Sequence, residues 1–203
     1  WRPAGIGIAP TICHSARKGV FVELNTWHST KLIGMHDIYE IEAPWYRSPI
    51  RITQPVEIIG MPYIEVSPEH IKGIILTHQP DEARSMTPST ETTDCIGQHM
   101  ADFLVDNMQR GYINSKKLIL QSGVGSGANA VLGALGQCSE VPDFNIYTEV
   151  IQNSVIAMML TGRVKDASAC SLTVSNDCLM QVYDNMDYFK DHLTLRQSEI
   201  SNS

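Results

Sequence analysis

From Leu118 onward the chain alternates short apolar strands with helical segments, and this alternation limits the fold more than any other feature. Leu118-Ile119-Leu120 reads as a strand, followed by a glycine turn and a helix from about Ala128 to Leu135. A strand over Phe144 to Thr148 precedes a helix over Val150 to Leu160, which Gly162 ends. A further strand covers about Ala167 to Val174, and an amphipathic helix covers Leu179 to Phe189. Strands and helices in this order imply parallel pairing with right-handed crossovers. The expected class is α/β, an open and mostly parallel sheet with flanking helices.

The residues before this stretch have a different texture. Gly19 to Asn25 and Lys72 to Thr77 read as strands by their β-branched and aromatic content. Between them, Pro44, Pro49, Pro55, Pro62 and Pro68 favour extended segments and turns over helix. Gln79 to Glu91 is polar, has no apolar periodicity and reads as a linker or long functional loop. Thr92 or Thr93 is the expected cap of a helix with apolar positions Ile96, Met100, Phe103, Leu104 and Met108, ending near Gly111.

Composition narrows the partners. The chain has 203 residues, 43% hydrophobic and 18% charged, which suits one large or two small globular domains. A net charge of -7 argues against a nucleic-acid partner, and the Lys116-Lys117 pair reads as ordinary solvation. No apolar run approaches the ~20 residues of a transmembrane helix, so no membrane association is expected. Cys13, Cys95, Cys138, Cys170 and Cys178 form no Cys-x-x-Cys pair, which suits reduced thiols of an intracellular protein. His14, His28, His36, His70, His78, His99 and His192 show no ligand spacing, so no metal is expected. Met158, Met159, Met180 and Met186 fall at apolar helical positions and read as core. Tyr39, Trp45 and Tyr46 are expected to be partly buried, with a channel lining as the alternative. The chain opens Trp1-Arg2-Pro3 and stops at Ser201-Asn202-Ser203, so both ends read as cut.

Two features carry chemistry. In Gln121-Ser122-Gly123-Val124-Gly125-Ser126-Gly127-Ala128-Asn129 the glycines allow close backbone approach, and the helix start offers unpaired N–H groups. Such a turn binds phosphate or stabilises an oxyanion; a tight turn without a ligand is the plain alternative. Asn129 is expected to brace the turn or cap the helix. The second feature is Glu149, at the expected end of a parallel strand, where open α/β sheets bind ligands. A charge favoured by the dipole of the following helix is its plain alternative. Together, Gly123-x-Gly125-x-x-Ala128 and Glu149 also fit a dinucleotide fingerprint, the acid holding a ribose hydroxyl of NAD in an oxidoreductase. Spacing alone leaves these readings open.

Finer sequence separates them. Gly123 to Leu132, Tyr147-Thr148-Glu149-Val150-Ile151-Gln152, Leu160 to Ser168 and Arg196 to Asn202 resemble the acetyl-CoA hydrolase/transferase family, class I CoA-transferases of the succinyl-CoA:acetate type. Val22 to Trp27 and Gly34 to Tyr39 extend the resemblance through nearly the whole chain. It implies the CoA-transferase (NagB/RpiA-like) fold in incomplete form. Residues 1–80 would be the C-terminal part of a first domain, 81–112 a linker loop and helix, and 113–203 the N-terminal half of a second, catalytic domain. The resemblance further implies coenzyme A as substrate and product, small carboxylic acids as partners, and a homodimer for the full-length protein. The implied compartment is mitochondrial in a eukaryote and cytoplasmic in a bacterium.

In the implied chemistry Glu149 is the nucleophile, forming an acyl-glutamyl anhydride and then a glutamyl-CoA thioester. Gly123, Val124, Gly125 and Ser126 supply the oxyanion and CoA contacts. Asn202 helps orient the carboxyl group near the nucleophile, and Arg84 binds the substrate carboxylate, with a solvated loop charge as its plain alternative. Acetyl-CoA hydrolysis by the same nucleophile is the close alternative.

Overall fold

The computed structural model describes residues 6–40, 42, 44–81 and 88–197. Helix α1 (Ala9–Ser15) and strand β1 (Val20–Asn25) precede the two-residue strand β2 (His36–Asp37) and, after a Pro-rich irregular stretch, β3 (Ile71–Thr77). Then come α2 (Glu91–Gln109), β4 (Ile119–Leu120), α3 (Ser126–Gln137), β5 (Phe144–Ile151) and α4 (Asn153–Leu160). The order closes with β6 (Val164–Leu172), α5 (Asn176–Asp184), α6 (Met186–His192) and β7 (Leu193–Arg196).

Among the described residues the strands form two sheets, β1-β3 and β2-β7-β6-β5-β4, and every pairing is parallel. The expected parallel α/β architecture is therefore present. The larger sheet recruits its β2 edge from the N-terminal part of the chain, which local sequence did not reveal. All four residues of β7 and most of β6 are buried, as expected for strands covered on both faces. No helix among the described residues is long and apolar enough to cross a membrane.

Several boundaries move. The cap of α2 is Thr90, whose hydroxyl accepts from the Thr93 N–H in a reciprocal capping box, so the helix starts before Thr92. Its packed face is Gly97 and Ala101 with the expected Leu104 and Met108, while Ile96, Met100 and Phe103 are exposed. Gly97 is needed there because a Cβ would lie 2.6 Å from the Ala130 carbonyl of α3. β5 runs on to Ile151 because Val150 and Ile151 continue the ladder against Ser171 and Leu172. The helix expected from Val150 accordingly starts at Asn153. Leu179 to Phe189 is split at Asn185, a poor helix former, into α5 and α6. Trp45 and Tyr46 are 90% and 80% exposed, not partly buried, and Met180 is exposed while Met158, Met159 and Met186 are core.

Two arginines organise the large sheet. Arg163, at the turn between α4 and β6, donates to the carbonyls of Leu135, Gly136, Cys138 and Val141 at 3.0–3.1 Å and to Asp143 Oδ1 at 3.0 Å. It thereby satisfies the carbonyl end of α3. Arg196, fully buried at the end of β7, pairs with fully buried Asp37 of β2. It also donates to Ser168 Oγ at 2.9 Å, to the Pro55 carbonyl at 2.9 Å and to the Glu57 carbonyl. Asp37 Oδ1 accepts from the N–H groups of Ile59 at 3.2 Å and Gly60 at 2.7 Å.

Removing one partner strands a buried charge, so Arg196→Met should lower the unfolding free energy by about 3–5 kcal/mol in urea denaturation. The double variant Asp37→Leu/Arg196→Met should recover a large part of that loss, because it leaves no charge behind.

His36, beside Asp37, is also buried, and burial pushes its imidazole down from 6.5 to about 4. The folded chain keeps it neutral where the unfolded chain takes up a proton. Its contribution to stability is complete above pH 6.5 and is lost as pH falls through about 4. The full loss is on the order of 3 kcal/mol. Urea midpoints measured between pH 7 and pH 4 should fall on acidification, and His36→Gln should flatten that slope.

Candidate active site

β4 and β5 pair with Ile119 opposite Asn145 and Leu120 opposite Ile146. Past Leu120 the chain leaves the sheet but keeps the same offset. The Thr148 hydroxyl donates to the Ser122 carbonyl at 2.7 Å and accepts from the Ser122 N–H at 3.3 Å. Just beyond β5, Gln152 Nε2 donates to the Gly123 carbonyl at 3.1 Å. Both side chains are buried, and Glu149, between them in sequence, is exposed. These two bonds anchor Ser122 and Gly123 to the end of β5, the strand that carries Glu149.

The turn itself ends on Gly125, with φ 124° and ψ 175°, a conformation open essentially to glycine alone. Gly125 is the N-cap of α3, and no side chain caps the helix. The first intrahelical bond runs from Asn129 N–H to the Gly125 carbonyl at 3.0 Å, so the N–H groups ahead of it face outward with the positive end of the helix dipole. A Cβ added at Gly123, Gly125 or Gly127 would meet nothing within 4 Å. Open space lies in front of the turn, and Gly125 is required for its backbone angle, not for room. Val124 is 67% exposed, and Ser126 begins α3 half-buried.

Some expected features are placed differently. Glu149 lies inside β5, two residues before its end, so it is not a charge at the helix start. Asn129 neither caps nor braces: its Oδ1 is buried without a hydrogen-bond partner. It sits one turn into α3, past the position from which a side chain reaches the first N–H groups. Thr148 and Gln152 brace the turn instead. Their signal was present in the sequence, since they flank Glu149 within one six-residue stretch. Arg84 and Asn202 lie outside the described residues. Among the described residues no group of three or more His, Cys, Asp or Glu is arranged to hold a metal ion.

No family model matches the chain. Over 203 residues, all of this chain, it is 38% identical to the propanoyl-CoA:succinate CoA transferase of Escherichia coli K12, covering 41% of that protein. It is 34% identical over 199 residues to the acetyl-CoA hydrolase of Schizosaccharomyces pombe, 98% of this chain and 38% of that one. The succinyl-CoA:acetate CoA-transferase of Clostridium kluyveri is also 34% identical, over 98% of this chain and 37% of its own.

The chain is homologous to the acetyl-CoA hydrolases and CoA-transferases. It spans about two fifths of the length of these relatives. RipA from Yersinia pestis superposes with a TM-score of 0.57 over 96% of this chain and 36% of that one, at 18% identity, a likeness of fold. The relatives named here give the dinucleotide reading of the glycine turn no support.

Gly125→Ala places an L-residue at a glycine-only conformation and should cost about 1–3 kcal/mol of stability. Thr148→Val leaves the Ser122 carbonyl without its donor. Amide hydrogen exchange over residues 122–127 should accelerate at least ~5-fold in that variant, with β6 unchanged.

Proposed function

We propose that the protein containing this chain moves coenzyme A between an acyl-CoA and a carboxylic acid, with acetyl-CoA and succinyl-CoA as donors and Glu149 as nucleophile. The observation that carries the proposal is the pair of buried anchors, Thr148 to Ser122 and Gln152 to Gly123. They tie the turn ahead of an uncapped helix start to the strand that carries the exposed Glu149. The names of the homologous enzymes support the same reading.

A Glu149 carboxylate oxygen attacks the thioester carbonyl, the C–S bond breaks, and CoA thiolate leaves behind an acyl-glutamyl anhydride. The thiolate then attacks the glutamyl carbonyl, expels the first carboxylate and forms a glutamyl-CoA thioester. An acceptor carboxylate attacks that thioester and releases the thiolate. The thiolate next takes the new acyl carbonyl, yielding the new acyl-CoA and free Glu149. Every step passes through a tetrahedral oxyanion.

The N–H groups of Val124 and Gly125 are the proposed donors to it, within the turn from Gly123 to Ser126, and one such donor is worth ~3 kcal/mol. Arg84 and Asn202 are proposed to bind and orient carboxylates. Homodimer formation by the full-length protein belongs to the same proposal. Water capturing the anhydride would give acetyl-CoA hydrolysis at the same residue, but a positioned carboxylate outcompetes it.

Mass spectrometry of the full-length protein incubated with acyl-CoA should find a CoA adduct on the peptide carrying Glu149. Glu149→Ala should lose both the adduct and at least ~10³-fold in transfer rate. Full transfer activity in that variant would sink the proposal.

A further inference from the structure

Gln152 stands where β5 gives way to α4, at the N-cap position, yet its side chain makes no cap bond to the helix. Its backbone carbonyl serves α4, accepting from the N–H groups of Val155 at 3.0 Å and Ile156 at 3.3 Å. The side chain turns the other way and donates to the Gly123 carbonyl at 3.1 Å. Gln152 is 3% exposed, and an amide buried to that degree is tolerable when it is bonded.

A carbonyl and the N–H that follows it share one peptide plane and point in opposite directions when the bond is trans. No cis peptide bond occurs among the described residues, so holding the Gly123 carbonyl also aims the Val124 N–H, away from buried Gln152. That N–H has no acceptor among the described residues, and Val124 is 67% exposed.

Sterics do not fix this peptide. Gly123 has no side chain, and a Cβ there would meet nothing within 4 Å, so the plane can turn over at little cost. Thr148 holds both backbone groups of Ser122, one peptide earlier. The Gly123 carbonyl itself depends on Gln152. The exposed Ser122 hydroxyl lies 3.3 Å from the same oxygen, longer than a good O–H···O bond.

We propose that Gln152 is a positioning residue of the transfer reaction: it locks the Gly123–Val124 peptide so that the Val124 N–H faces the developing oxyanion. The inference rests on the reading of Glu149 as nucleophile and of the turn as oxyanion donor. A donor already aimed when charge develops costs no reorganisation in the transition state, whereas a peptide free to turn over presents its N–H for part of the time.

The test uses the full-length protein and acetyl-CoA, following formation of the Glu149 adduct in a single turnover. Gln152→Met keeps the length of the side chain and removes the donor. Its saturating rate should fall at least ~10-fold while the half-saturating acetyl-CoA concentration changes less than ~2-fold, because the lost interaction belongs to the transition state. Val124→Pro removes the N–H itself and should be slower still. Since Gln152 acts through that N–H alone, the double variant should match Val124→Pro within about 2-fold instead of showing the product of both losses. Gln152→Asn, whose amide is too short to reach Gly123, takes the place of Gln152→Met if circular dichroism shows the latter unfolded.

An unchanged rate in a folded Gln152 variant, a loss carried by the half-saturating concentration, or multiplied losses in the double variant would each overturn the positioning role. A wild-type adduct on Glu149 then leaves the transferase reading standing. Absence of the adduct in the wild-type protein overturns the nucleophile and the positioning role together.

Discussion

Arg196 has no exposed surface, yet its guanidinium reaches Asp37, Ser168 and the carbonyls of Pro55 and Glu57. A buried guanidinium is tolerable only when its charge is paired and its N–H groups are occupied, so these partners are obligatory rather than decorative. Their positions explain much of the architecture. Asp37 lies in the two-residue edge strand β2, Ser168 in β6, and Pro55 and Glu57 in the irregular stretch between β2 and β3. One side chain therefore ties the sheet edge, a central strand and a loop with no regular structure into one unit. That loop's prolines remove donors that a ladder would use, and its other ties include the Ile38–Met61 bridge, the Thr53–Glu57 bonds and the Ile59 and Gly60 bonds to Asp37.

The site beside β5 depends on a second set of constraints acting on α3. Arg163 occupies the carbonyls at its C-terminal end, and Thr148 and Gln152 fix the turn at its N-terminal end. The helix is thus held at both termini, while its own start remains uncapped by any side chain. An uncapped start is a modest cost to stability, offset by the anchors on either side. It also leaves the N–H groups at the helix start unbonded by any capping side chain.

The sequence disclosed some of this readily and the rest poorly. The strand near Leu118, the glycine turn and the strand from Phe144 were legible because their period and glycine content are local properties. The end of β5 was misjudged because Val150 and Ile151 suit a strand or a buried helix equally, and only the partners Ser171 and Leu172 decide between them. The face of α2 was read correctly at Leu104 and Met108 and misjudged nearer its start for a related reason. Ile96, Met100 and Phe103 mark an apolar stripe, but the close approach of α3 needs small residues and selects Gly97 and Ala101. Thr148 and Gln152 stood in plain view beside Glu149, but nothing local shows that their side chains reach back to the preceding turn.

By itself the sequence determined the parallel α/β class, the glycine turn ahead of a helix, the acidic residue in the next strand and the resemblance to CoA-transferases. These follow from hydrophobic period, from the conformational freedom of glycine and from residue strings read in order. The tertiary structure alone decided that Asp37 meets Arg196 across 159 positions, that β2 closes the sheet edge, and that Ile50, Ile52 and Pro55 come to lie opposite Ile119 and Tyr147. A buried charge must find a partner somewhere, but which residue answers it is set by how distant strands pack, and no local pattern encodes that.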